Sequence, residues 1–318
     1  MDLYGGIEAG GTKFVCVIGT EPSHIVDAAR IDVLEPAETI GSVLAFFKGA
    51  VDAGTELNAI GIGSFGPIEL RTGHPHYGWI TSTPKPGWSD TDLVGPIASD
   101  LCLPVGFDTD VNAAALAEGR WGAALGIDSY LYLTLGTGIG GGAVIEGRLV
   151  HGLGHPEMGH LVVQRRRGDT FVGSCPFHGD CLEGMASGTA LAARFGRRGE
   201  TLRGPNLAAA TALVAFYLAA GVRSLVYALA PERIVVGGGL SVMPGLIEAT
   251  RAELASELGG YPGTPEQQKE DFLVLAGLGS MAGPAGTLIL AERAAAATGR
   301  SPRVEDGDDR APNQGIVG

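Results

Sequence analysis

Short apolar runs that end in glycine turns set the pattern of this chain. Leu3 to Ile7 predicts a strand, the run breaks at Ala9-Gly10-Gly11-Thr12, and Phe14 to Ile18 predicts its partner, so the opening reads as a glycine hairpin. The plan repeats at Ser129 to Leu135, a second strand followed by Gly136-Thr137-Gly138-Ile139-Gly140-Gly141-Gly142 and a further strand, Ala143 to Ile145. A third case is Ile234 to Val236, followed by Gly237-Gly238-Gly239-Leu240-Ser241 and flanked by helical stretches. Helices are predicted over Asn112 to Trp121 and over the late apolar stretch Ala282 to Ala297. The apolar run Leu207 to Leu229 is broken by Thr211, Gly221, Arg223 and Ser224, which suits a buried helix better than one facing lipid.

Length adds the domain count, because 318 residues exceed the usual limit of one core and predict two domains. The 52 glycines fall mainly at the ends of apolar runs, as expected of an α/β protein whose loops approach a ligand closely. A net charge of -13 and a pI near 4.9 disfavour nucleic acid and anionic membranes as partners. The basic run Arg165 to Arg167 is too short to argue otherwise, so a small-molecule substrate is expected.

Four ligand-type side chains fall within 22 residues: His160, Cys175, His178 and Cys181, spaced His-x14-Cys-x2-His-x2-Cys. Zinc favours tetrahedral nitrogen and thiolate donors, and four protein ligands make a closed, structural site that orders a loop poor in apolar residues. A Cys175–Cys181 disulfide is the competing reading. Four cysteines in a chain of this size, with no charged-then-apolar leader, fit a reducing cytosol instead. Cys16 and Cys102 read as buried thiols acting as small hydrophobes.

The glycine turns point to phosphate. Gly10 and Gly11 remove side-chain bulk, while Thr12 and Lys13 offer a hydroxyl and a cation. The second turn lacks the Lys-Ser/Thr ending of a P-loop, and no helix follows it as a dinucleotide fingerprint requires. The third, at a strand end, suits a nucleoside packed on backbone.

Together, Gly10-Gly11-Thr12-Lys13, Leu135 to Gly142, Val236 to Ser241 and the zinc cluster resemble the segments of the ROK sugar kinases, in the expected order from about residue 4 to residue 290. The resemblance implies a two-domain actin-like ATPase fold (ribonuclease H-like, hexokinase-type), with ATP and sugar in the cleft between the domains and a zinc-organised loop beside it. It implies ATP, Mg2+ and Zn2+ as cofactors, a cytoplasmic enzyme and a homodimer. Nucleotide contacts are expected at Glu8, Gly10, Gly11, Thr12, Lys13, Thr134, Gly136, Thr137, Gly138, Gly140 and Gly237 to Gly239, that is Gly237, Gly238 and Gly239.

The family's general base is an aspartate before an Asn-Ala-Ala-Ala helix start, here Asp110 in Phe107 to Glu118. Phosphoryl transfer needs such a carboxylate to take the proton of the attacking hydroxyl, along with charge neutralisation around the triphosphate. The alternative is that Asp108 or Asp110 only caps the helix, with Asp108 the better cap. By resemblance Glu157, Glu183 and His160 read the sugar, His160 also serving the metal, with Gly66, Asn112 and the Pro86-Gly87-Trp88 loop completing the substrate side. His151 and His155 read as loop residues without a direct role.

Departures from the family pattern narrow the substrate. Thr109 stands where glucose-type members carry Asn, Glu8 stands where Asp is usual, and Thr83 to Trp88 lacks the Asn of glucose-specific relatives. These features resemble the bacterial fructokinase branch and imply phosphorylation of D-fructose to fructose 6-phosphate. The alternatives are glucokinase, mannokinase, an N-acetylmannosamine kinase and a non-catalytic sugar-binding zinc protein. A sugar-responsive repressor is disfavoured, since the phosphate hairpin begins at residue 8 with no helix-turn-helix before it. The expected domains are residues 1–112, completed by a helix over about 282–298, and residues 113–281, with a disordered tail from 299 to 318 and no internal repeat.

Overall fold

The computed structural model describes residues 2–299; the tail expected to be disordered lies, beyond Gly299, outside the described residues. The first half contains β1 (Leu3–Ala9), β2 (Lys13–Glu21), β3 (His24–Asp32), α1 (Pro36–Asp52), β4 (Leu57–Ser64), β5 (Trp79–Ile80), β6 (Thr91–Asp92), α2 (Val94–Leu101), β7 (Val105–Thr109) and α3 (Asp110–Trp121). The second contains β8 (Tyr130–Leu135), β9 (Ile139–Ile145), β10 (Arg148–Leu149), α4 (Leu182–Ala186), α5 (Gly188–Phe195), α6 (Gly204–Leu229), β11 (Arg233–Gly237), α7 (Leu246–Leu258), β12 (Leu273–Leu275) and α8 (Ala282–Ala297).

Two five-stranded sheets carry the fold, in the orders β3-β2-β1-β4-β7 and β10-β9-β8-β11-β12. In each, the first two neighbouring pairs are antiparallel and the last two parallel, so one strand plan is used twice. No repeat is visible in the sequence because pairing geometry constrains only where apolar and small residues fall, not which ones they are. The result is an α/β molecule of the expected class.

The last helix returns to the beginning. Helix α8 lies against β1, β4 and β7 of the first sheet and against α3. Glycine makes that approach possible: a Cβ on Gly61 of β4 would collide with the Thr287 carbonyl, and one on Gly286 of α8 with the Ala113 carbonyl. Because α3 also packs on β8 and β9, it forms the seam between the two sheets, and the boundary expected at 112–113 falls inside it. The apolar run near residues 207–229 forms α6, long and apolar enough to cross a membrane, yet more than half of its most apolar window is buried in the second core.

Three local expectations change. The glycine run after Leu135 is not all loop: Gly140, Gly141 and Gly142 lie within β9, opposite Thr134, Leu133 and Tyr132. Val111, Met158 and Asn112 press against the places where their side chains would be, which is why the run is glycine. Helix α3 begins at Asp110, and its cap is Thr109, whose Oγ1 accepts the Asn112 amide at 3.1 Å, rather than Asp108. Cys16 is buried as expected, but Cys102 is exposed, in the left-handed position that ends α2 with φ 52°.

Candidate active site

The ends of the two sheets face one another across a cleft of about 440 Å3. Its lower wall is the β1–β2 hairpin, where the Gly10 amide donates to the Lys13 carbonyl at 3.0 Å and leaves Gly11 with no atom near its missing side chain. Opposite lies the turn from β8 to β9, closed by the Gly136 amide on the Gly138 carbonyl at 2.9 Å. Helix α5 supports this turn: the Gly188 amide donates to the Gly136 carbonyl and Thr189 Oγ1 to the Thr137 carbonyl, at 2.8 and 2.9 Å. Gly11, Thr12, Thr134, Gly136, Thr137, Gly138 and Gly140 all line the cleft.

Asp110 stands at the cleft floor, at the first residue of α3. Its Oδ1 accepts the Val111 amide at 2.8 Å. Burial and then the nearby Glu8 carboxylate push its pKa up to about 7, with a smaller contribution from Glu157. Glu8 is itself raised by burial, partly offset by the Lys13 ammonium. Its carboxylate lies over Gly283 near the start of α8. A raised carboxylate in a cleft is the signature of a proton-transfer group.

A second hollow of about 410 Å3 continues the cleft, sharing Gly66, Glu157 and Glu183 with it. Glu183 Oε2 accepts the Ile139 amide at 2.9 Å, while Glu157 is half exposed, with Oε1 3.5 Å from His155 Nδ1 and Oε2 4.0 Å from His160 Nε2. The other face of His160 turns away from the cleft, its Nδ1 3.6 Å from both Cys175 Sγ and Cys181 Sγ. His178 Nδ1 is 3.8 Å from Cys175 Sγ, and the four donors lie within 4.8 Å of one another. Tetrahedral zinc with such ligands has donor-to-donor edges of about 3.4–3.8 Å, so the residues fit the metal. The turn is shaped for it: the Cys175 and Gly179 backbones exchange hydrogen bonds at 3.2 and 3.0 Å, and Cys181 caps α4.

Several expected site residues lie elsewhere. Trp88 is 1 % exposed, packed on Phe14 and Phe65, with its indole N–H donating to the Leu34 carbonyl at 3.0 Å. It belongs to the first core, and Pro86 and Gly87 are exposed beyond the cleft lining, whereas Ser82 and Pro84 of the same loop line it. Asn112 is fully buried and donates to Asp108 Oδ1 at 2.6 Å, so it braces β7 from behind. Lys13 is a β2 residue outside the lining that acts on Glu8 through its charge. Gly237, Gly238 and Gly239 sit behind the β8 turn, with Gly238 at φ 85° against Leu135 and Gly239 facing open space.

Two histidines expected to have no direct role make contacts across the cleft. His151 Nε2 is 2.9 Å from Asp108 Oδ2, a partnership that raises its pKa, and His155 Nε2 accepts the Ile68 amide at 3.1 Å. Both leave the loop after β10 and reach the first-sheet half; their positions in the sequence carry no periodic signal that marks this. A larger hollow of about 660 Å3 near Tyr227 and Tyr261 contains neither a glycine turn nor the raised carboxylate.

The ROK family model matches residues 4–294. A fructokinase of Zymomonas mobilis is 42 % identical over 291 residues, covering 91 % of this chain and 96 % of its own, and a fructokinase of Lactococcus lactis is 43 % identical, covering 82 % and 87 %. The ROK hexokinase of Thermus thermophilus superimposes with a TM-score of 0.72 at 29 % identity, covering 91 % of this chain and 97 % of its own. The ROK glucokinase of Streptomyces griseus, solved with glucose and AMPPNP, gives 0.72 at 26 %, covering 92 % and 99 %. The family model spans nearly the whole chain and relatives above 40 % identity cover most of it, so the chain belongs to the ROK family.

Proposed function

We propose that this chain is an ATP-dependent fructokinase that converts D-fructose to fructose 6-phosphate, with Asp110 as the general base. The observation that carries the reading is the place of Asp110, where the phosphate-type glycine turns and the Glu157–Glu183 wall converge. Fructokinases at 39–43 % identity over most of the chain support fructose as the acceptor. In this reading ATP lies along Gly11, Thr12 and the β8–β9 turn, its adenosine toward Gly237 to Gly239. The sugar occupies the hollow beside Ser82, Pro84, Glu157, Glu183 and His160.

Asp110 accepts the proton of the sugar 6-hydroxyl as its oxygen attacks the γ-phosphorus; the bond to the β,γ-bridging oxygen breaks and ADP departs. A carboxylate raised to about 7 is matched to that transfer at neutral pH. Glycine amides of the two turns align the triphosphate, and positioning supplies most of the rate. The half-buried Glu8 and Asp110 carboxylates would help hold an ATP-borne Mg2+, which supplies charge neutralisation when bound. His160, Cys175, His178 and Cys181 would hold Zn2+, which orders the segment bearing the sugar wall.

Four free thiols accord with a cytoplasmic setting. Val162, Val172 and Phe177, at 90 %, 79 % and 63 % exposure on the metal-binding segment, support assembly as a homodimer. Another hexose, glucose first, is the alternative acceptor, favoured by the glucose-bound Streptomyces griseus relative.

A coupled ADP-release assay with MgATP against fructose, glucose, mannose and N-acetylmannosamine tests the reading. Turnover with fructose that vanishes in Asp110→Asn is expected. No turnover with any sugar from folded, zinc-loaded protein overturns it.

A further inference from the structure

His155 joins three parts of the cleft through one ring. Its side chain is 8 % exposed, although it belongs to the loop after β10 rather than to a core element. The Nε2 atom accepts the Ile68 amide at 3.1 Å, a bond that runs from the second-sheet half to the first. The ring edge lies so close to Gly66 that a Cβ there would approach His155 Cε1 to 3.0 Å. The remaining nitrogen, Nδ1, is 3.5 Å from Glu157 Oε1.

An imidazole nitrogen that accepts an amide hydrogen carries no proton, so the neutral ring must carry its proton on Nδ1, the atom that faces Glu157. We propose that His155 is a positioning residue for the sugar: it ties the Gly66–Ile68 segment of one half to the Glu157 carboxylate of the other, and so fixes the sugar wall only when the two halves are correctly apposed. The same loop makes a second tie, His151 to Asp108, two residues before Asp110. Removing the ring of His155 frees Glu157 and leaves the Ile68 amide without its acceptor, whereas the nucleotide turns at Gly10 to Thr12 and Gly136 to Gly138 are untouched. The effect therefore falls on sugar binding and not on ATP binding.

The kinetic arm rests on the sugar-kinase reading; the spectroscopic arm does not. In the full-length zinc-loaded protein, 15N NMR of the His155 ring is expected to show Nδ1 protonated and Nε2 bare, with the Ile68 amide resonance moving in His155→Ala. Kinetics of His155→Ala are expected to show the fructose KM raised about tenfold to a hundredfold with the ATP KM held within about twofold, the loss typical of an orphaned buried donor. His155→Gln, whose side-chain carbonyl reaches about as far as Nε2, is expected to recover much of the loss. A ring protonated on Nε2, an unmoved Ile68 amide, an unchanged fructose KM, or equal rises in both KM values overturns the proposal. If the wild type turns over no fructose, the functional reading falls, and the ring tautomer with the Ile68 amide shift still decides the role of His155.

Discussion

The Ile139 amide donates to Glu183 Oε2 at 2.9 Å, so a carboxylate on the first turn of α4 reaches from the metal-binding segment to the glycine turn after β8. In the proposed function, one residue thereby holds both the sugar wall and the edge of the nucleotide turn. Glu183→Ala is expected to raise KM for sugar and for ATP together, each by about tenfold, through the orphaned amide. Glu183→Gln keeps an acceptor for Ile139 and is expected to recover the ATP KM while the sugar KM stays high. Steady-state kinetics with each substrate varied in turn checks this.

The pH dependence follows from Asp110. Its pKa in the folded protein is raised to about 7, so, with Asp110 as the proposed base, activity in kcat/KM is expected to fall on the acid side with an apparent pKa near that value. Glu8→Gln removes the second-largest cause and is expected to move this limb to lower pH. The stability sign runs with the same shift: native Asp110 holds a proton that the unfolded chain has released, so its contribution is present at low pH and lost as pH rises toward 7. Asp110→Asn, which cannot ionise, is expected to raise Tm at pH 8 by about 2–4 °C while abolishing turnover. A lower Tm at that pH contradicts the assignment of burial as the main cause.

Metal removal is expected to act on a local segment first. Elemental analysis of purified protein is expected to give about one zinc per chain, and Cys181→Ser to lose it. Chelation is expected to open residues 161–180 to proteolysis and to lower Tm, with re-addition of zinc restoring both. Full protection after chelation would show that the four side chains hold the segment without a metal.

A second anchor limits how far that segment can open. Asp169 accepts both terminal nitrogens of Arg194, at 2.9 and 2.8 Å, and the Tyr217 hydroxyl at 2.6 Å, and these bonds together hold its carboxyl far below the usual range. Both side chains are about nine-tenths buried, at 9 % and 10 % exposure. Asp169→Ala leaves the guanidinium buried and unpaired, at a cost of about 3–5 kcal/mol read by urea denaturation. Because the stability lost comes from a depressed carboxylate, wild-type protein is expected to lose the same contribution only as pH falls below the ordinary carboxylate range.

Much of this was legible in the sequence where one physical constraint dominates. Strands at Leu3, Tyr130 and Arg233 announce themselves by apolar runs, and ligands at His160, Cys175, His178 and Cys181 by spacing that only a tight turn explains. What stayed hidden depends on where side chains point in three dimensions. Trp88 follows a Pro-Gly loop that resembles a ligand-binding edge, yet its bulk is drawn into the core between Phe14 and Phe65. Thr109 takes the cap expected of Asp108, and Asn112, expected on the substrate side, turns its amide inward, because the helix begins two residues earlier. His151 and His155 gain their partners from segments more than 40 residues earlier in the chain, a pairing no local pattern records.

The return of α8 to the first sheet bears on how the chain is made. The strands of the second sheet, Tyr130 to Leu275, have all been synthesised before Ala282 to Ala297, the helix that covers β1, β4 and β7. On the ribosome, the half translated first must wait for α8 to emerge before it buries its apolar face, while the half translated later can condense ahead of it. The emerging first sheet is thus the stretch that chaperones would guard longest, and a ribosome stalled before residue 282 would display it uncovered.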